Sequence, residues 1–155
     1  MTEITENQPA PAFDMATDGG GRVSSAALNG KPYVLYFYPK ADTPGCTTQA
    51  QDFSTLADDF AAAGATVIGV SRDPVKKLDR FRSKYDLKVV LASDEPGEVT
   101  EAFGVWVEKS LYGRTYMGVE RATFLIDAAG VVRRVWRKVK VKGHAAEVLD
   151  AVRSL

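Results

Sequence analysis

An α/β fold, a central mixed sheet covered on both faces by helices, is predicted by three observations. Apolar β-rich runs alternate with helical patterns along most of the chain. Two of the runs, at 33–38 (YVLYFY) and 66–70 (TVIGV), are continuously apolar, as strands buried on both sides must be. The last two, at 122–127 and 131–136, are separated only by a tight turn at 127–130, so they form an antiparallel hairpin in a sheet that starts as βαβ.

In chain order, residues 11–30 contain a Gly19-Gly20-Gly21 turn between short β-like pieces, an N-terminal β-hairpin, then a single helical turn near 25–28. The strand at 33–38 leads into a helix whose Phe53, Leu56, Ala57 and Phe60 make one apolar stripe. After the strand at 66–71, Asp73-Pro74 starts a helix with proline in its first turn and Leu78, Phe81 and Tyr85 facing inward. A strand at 89–92, a short helix at about 97–103, the terminal hairpin and a helix with Ala145, Val148, Leu149 and Val152 inward complete the order. That order is a thioredoxin-like architecture with an N-terminal hairpin extension. At 155 residues it is expected to be one domain, 1–155.

Composition narrows the function classes. Twenty basic and twenty acidic residues give a formal charge of zero, which favours neither nucleic acid nor an anionic membrane. The local excess of Arg133, Arg134, Arg137, Lys138, Lys140 and Lys142 alternates with valines, the pattern of a strand with one solvated face. The start, MTEITENQ, has no apolar core and does not read as a signal peptide, and no apolar run reaches the ~20 residues of a membrane span. A soluble, cytoplasmic protein is expected. One cysteine and one histidine exclude an internal disulfide, a CxxC redox pair and cysteine-rich zinc sites, and no cofactor or metal is implied.

The single cysteine, Cys46, is either a small buried apolar residue or a nucleophile, and its context decides. The stretch Tyr38-Pro39-Lys40-Ala41-Asp42-Thr43-Pro44-Gly45-Cys46 leaves the end of a central strand, where reactive groups of open α/β sheets gather. Thr43 at an N-cap and Pro44 at the first helical position put Cys46 in the first turn, beside unpaired backbone N–H groups that favour a thiolate. The prolines restrict the loop, and Gly45 allows close approach to a small substrate.

Pro39-x-x-x-Thr43-x-x-Cys46 resembles the PxxxTxxC motif of peroxiredoxins. YFYPKADTPGCTTQA, the SDE at 93–95, GVWVEKS and YGRTYMGVERATFLID are similar to the bacterioferritin comigratory protein or PrxQ subfamily, over roughly residues 8–155. The resemblance implies a thiol-dependent peroxidase reducing hydrogen peroxide and organic hydroperoxides. By it, Cys46 is the peroxidatic nucleophile, Thr43 hydrogen-bonds the reacting peroxide, Arg121 stabilises thiolate and leaving oxygen, and Pro39 shields the site. Lys40, Gln49 and Trp106 occupy subfamily-like positions but read as a solvated cation, a helix-surface amide and a packing aromatic. His144, at the start of the last helix, reads as a surface or capping residue. Tyr36, Phe37, Tyr38 and Trp106 are candidates for an apolar approach.

Many PrxQ members carry a resolving cysteine five residues after the first, others on the second helix. Here those positions hold Gln51 and the Phe81-Arg82 region. The sulfenic acid formed at Cys46 then has no internal thiol to meet, which implies a one-cysteine cycle completed by an external thiol. Thioredoxin, glutaredoxin, glutathione or a second copy of Cys46 all remain open as that thiol. A monomer or weak homodimer is expected. A redox sensor or holdase switched by Cys46 oxidation is the alternative; it would be oxidised once and would not turn over.

Overall fold

The computed structural model describes residues 4–155, so the first residues of the acidic start lie outside it. An N-terminal hairpin joins β1 (Asp14–Thr17) to β2 (Arg22–Ser24) through a 3-10 turn in which Gly19 and Gly20 have φ of 77° and 81°, and α1 (Ser25–Leu28) follows. Next come β3 (Tyr33–Phe37), α2 (Pro44–Thr55), α3 (Ala57–Ala62), β4 (Thr66–Ser71), α4 (Val75–Tyr85), β5 (Val90–Ser93) and α5 (Glu98–Ala102). The chain ends with β6 (Trp106–Leu111), β7 (Arg114–Val119), β8 (Ala122–Ile126), β9 (Val132–Trp136) and α6 (His144–Arg153).

Seven strands form one sheet in the order β2-β1-β5-β4-β3-β8-β9. The β3–β4 and β4–β5 pairs are parallel and the others antiparallel, so the sheet is mixed, with the thioredoxin-like arrangement expected. The central strand β3 feeds two cores by simple alternation. Val34, Tyr36 and the following Tyr38 pack with Phe53, Phe60, Leu78, Phe81 and Val148 from α2, α3, α4 and α6. Tyr33, Leu35 and Phe37 pack with Ile68, Val70, Phe103 and Phe124 on the opposite face. Burial on both faces explains why these strands read as unbroken apolar runs.

Tyr36 fits because its register partner on β4 is Gly69. A Cβ there would lie 2.5 Å from Tyr36 Cζ, so any side chain would displace the ring. The ring stacks on Phe53 at 4.6 Å, tying the end of the sheet's central strand to α2.

Three local features differ from the sequence expectations. The stripe through Phe53, Leu56, Ala57 and Phe60 is in phase, but the helix breaks at Leu56 (φ −96°, ψ 8°), whose N–H turns to Phe53 O. Pro74 is the N-cap of α4 rather than part of its first turn. The β6–β7 hairpin was not foreseen, because it lies outside the main sheet and carries almost no buried face to impose a pattern. Its signal was Tyr112-Gly113, a two-residue turn with φ of 51° and 76°.

On the edge strand β9, Arg133 and Arg134 are exposed while Val132 is buried, but the strand ends at Trp136: Lys138, Lys140 and Lys142 are exposed beyond it, and Arg137 is partly buried against Glu120 rather than on a solvated strand face. Among the described residues, no helix is long and apolar enough to cross a membrane.

Candidate active site

Strand register brings the site together. Phe37, the last residue of β3, pairs antiparallel with Ala122, the first of β8. The chain leaving β3 therefore runs beside Arg121 entering β8, although the two are far apart in sequence. Arg121 is held by its own carbonyl, which accepts from Val139 N–H at 2.9 Å. The preceding Glu120 forms a bidentate pair with Arg137 at 2.8 and 3.1 Å.

The loop between β3 and α2 is fixed from both ends. Ala41 N–H donates to Asp73 Oδ2 at 2.8 Å, and Asp73 also accepts from Ser71 Oγ at 2.7 Å. Thr43 is the N-cap residue of α2 by backbone (φ −104°, ψ 158°), with Pro44 in the first turn. Its hydroxyl turns away from the helix and donates to Lys40 O at 2.7 Å. The first amides of α2 thus have no side-chain cap, which leaves positive N–H dipoles beside Cys46.

Cys46 is 2% exposed, the nucleophile candidate closed beneath its own loop. Arg121 donates from Nη2 to Cys46 Sγ at 3.3 Å and from Nη1 to Gln49 Oε1 at 2.6 Å. Cys46 and Gln49 are three apart on α2, hence on one helix face, and a single planar guanidinium bridges them. Gly45 serves this contact: a Cβ there would sit 3.2 Å from Arg121 Nη2. The small residue thus makes room for the arginine rather than for substrate directly. A thiol held against a fixed cation and uncapped helix amides can act as a nucleophile toward a small electrophile, with donors ready for the oxygen it displaces.

With that geometry in place, comparison with known proteins is decisive. The AhpC/TSA family model matches residues 7–135. A putative peroxiredoxin bcp of Coxiella burnetii is 48% identical over 146 residues, covering 94% of this chain and 97% of that protein. Peroxiredoxin Bcp of Escherichia coli is 41% identical and covers 97% and 96% respectively. This chain belongs to the AhpC/TSA family. More narrowly it is a peroxiredoxin of the Bcp/PrxQ group, and peroxiredoxins are thiol-dependent peroxidases. A cysteine-to-serine mutant of Xylella fastidiosa PrxQ superposes with a TM-score of 0.94 at 35% identity, covering 99% of this chain and 98% of that one. The Xanthomonas campestris bacterioferritin comigratory protein, whose structures concern alkyl peroxide reduction, gives 0.87 at 44% identity, covering 92% and 90%.

In this peroxiredoxin several neighbours of the thiol differ from their sequence readings. Gln49 is not a surface amide: it is 1% exposed and orients Arg121. With its oxygen on Arg121, its buried Nε2 has no hydrogen-bond partner. His144 is not at the surface either. It is 4% exposed, shares a 2.8 Å hydrogen bond between Nε2 and Thr123 Oγ1, and lies edge-on to Phe53 and Trp136. Burial chiefly lowers its pKa and keeps it neutral. Tyr36, Phe37 and Tyr38 are buried and line no open approach, and burial chiefly pushes the Tyr36 hydroxyl pKa well up. Trp106 is the packing aromatic expected, with the Arg72 guanidinium 3.4 Å from its ring centroid.

Beside Pro39 opens a cleft of about 430 Å³ that Lys40, Arg72, Trp106, Lys109, Tyr116 and Met117 help to line. Lys109 was missed by sequence reasoning, because the β6–β7 hairpin that carries it was. Burial, then the charge of Arg121, lowers its pKa. Both positions at which PrxQ members carry a second cysteine have other occupants. Gln51 is exposed on α2. Arg82 is bound to Asp18 and to the carbonyls of Leu87 and Val89, clamping α4 to the N-terminal hairpin and β5.

Proposed function

We propose that the whole chain acts as one domain and as a one-cysteine peroxidase of hydrogen peroxide and organic hydroperoxides, with Cys46 as nucleophile. The observation that carries the reading is the Arg121 guanidinium, 3.3 Å from Sγ and fixed by Gln49. Cys46 attacks the terminal peroxide oxygen; the O–O bond breaks, the alcohol or water leaves with a proton, and the sulfur becomes a sulfenic acid. Arg121 and the uncapped amides of α2 stabilise the negative charge that develops on the departing oxygen. The Thr43 hydroxyl, free to exchange its bond to Lys40 O for the bound peroxide, orients the substrate. Pro39 shields the thiol from bulk water. Support for organic substrates comes from the cleft beside Pro39 and from the alkyl peroxide reduction ascribed to the Xanthomonas campestris relative.

With no second cysteine, the sulfenic acid condenses with an external thiol, releasing water, and a second thiol frees Cys46 as the thiol. That thiol is thioredoxin, glutaredoxin or glutathione, in the cytoplasm, and the enzyme works as a monomer or weak homodimer. The test is peroxide consumption by wild type and Cys46→Ser, with dithiothreitol, glutathione plus glutaredoxin, and thioredoxin plus its reductase supplied in parallel. Sustained turnover lost in the variant is expected, and the active arm names the reductant. One stoichiometric oxidation without turnover in any arm would replace the enzyme with a redox sensor.

A further inference from the structure

Cys46 must meet two reagents of very different size: a peroxide oxygen and then the sulfur of a thiol. At 2% exposure of Cys46, the site is closed to the second. A side-chain tether stands where the loop would have to open. Asp42, between Pro39 and Thr43, adopts φ 62°, a left-handed conformation that aspartate tolerates better than most non-glycine residues. That conformation lets its carboxylate reach α4. There it accepts from Tyr85 Oη at 2.6 Å and from Lys84 Nζ at 3.0 and 3.2 Å. The Tyr85 hydroxyl, then the Lys84 ammonium, hold the Asp42 carboxyl pKa below its ordinary value.

The receiving end is rigid. The Tyr85 ring packs edge-on against Phe81 at 5.7 Å, Phe81 packs against Tyr38 at the end of β3, and Arg82 binds α4 to Asp18. The tether itself is solvent-exposed, unlike that anchor, and exposed pairs are weak. A weak tether, attached to a fixed helix, has the properties of a latch.

We propose that Asp42, with Tyr85 and Lys84, is a positioning latch that sets the balance between a closed, peroxide-reactive loop and an open loop in which oxidised Cys46 meets its thiol. The inference rests on Cys46 being the peroxidatic residue. Released, the loop no longer presents Thr43 and the first turn of α2 to peroxide, but it exposes the sulfenic sulfur. The two half-reactions must therefore respond in opposite directions, which a merely structural role would not produce.

Tyr85→Phe removes one bond and retains the ring against Phe81; Asp42→Asn removes the charge and retains the shape. Oxidation by hydrogen peroxide, and reduction of the sulfenic acid by glutathione, are timed separately by mass spectrometry of quenched samples. Both variants are expected to be reduced roughly two- to threefold faster and oxidised roughly 1.5-fold more slowly, a shift of the loop balance on the scale of one lost hydrogen bond. Unchanged rates, or rates that move in the same direction, would overturn the latch. A wild-type Cys46 that gains no oxygen from peroxide would instead overturn the peroxidatic reading and the latch with it.

Discussion

Arg121 places one donor on the sulfur and another on Gln49, so its fork geometry, more than its charge, makes the site. Arg121→Lys keeps a cation but cannot bond both partners. Its rate constant for oxidation by hydrogen peroxide, read by stopped flow, is expected to fall about 100-fold, and a wild-type rate would show that charge alone suffices. Gln49→Ala leaves the guanidinium unanchored, and a fall of roughly tenfold is expected in the same assay. Cys46, Thr43, Pro39 and Arg121 were singled out in the sequence by a dense motif and a resemblance, and the structure brings Arg121 onto Cys46. Gln49 was not, although its i+3 spacing from Cys46 was visible. A polar residue on a helix reads as solvated until the strand bearing Arg121 is placed across from it.

Elements buried on both sides wrote themselves plainly into the sequence, as β3 and β4 show with YVLYFY and TVIGV. The β6–β7 hairpin did not, since strands exposed to solvent need no alternation, and with it Lys109 and one wall of the cleft were lost. His144 was misplaced for a related reason. A polar residue opening a helix looks like a cap, and only the packing of α6 on β8, with Thr123 as partner, takes it inside. At this scale Gly69 offers the sharpest test, because the need for glycine arises from the Tyr36 ring across the β3–β4 pair. Gly69→Ala is expected to destabilise the protein by about 1–3 kcal/mol through overpacking, measured by urea denaturation. A neutral effect would mean that the ring can move without cost.

For the whole molecule, burial of neutral His144 links stability to pH. Its folded pKa lies below the ordinary 6.5, so as pH falls through about that value the unfolded chain takes up a proton that the folded chain refuses. Stability is lost from there downward. A second loss follows at lower pH from Glu120 and Asp127: burial raises their pKa values, but the hydrogen bonds and charges of Arg137 and Lys138 at Glu120, and of Val131, Arg133 and Ala129 at Asp127, together outweigh it and hold both below their ordinary values. Thermal midpoints from pH 7.5 to 5.5 are expected to fall for wild type and to stay flatter for His144→Gln; parallel profiles would remove His144 from the account. All these parts, sheet, clamp and buried helix face, hold one thiol against one guanidinium in a chain with no second cysteine. The most direct test is the intact mass of dilute protein after one equivalent of hydrogen peroxide without reductant. One added oxygen on a monomer, trapped by dimedone and absent in Cys46→Ser, is predicted; an unmodified chain would contradict the account at its centre.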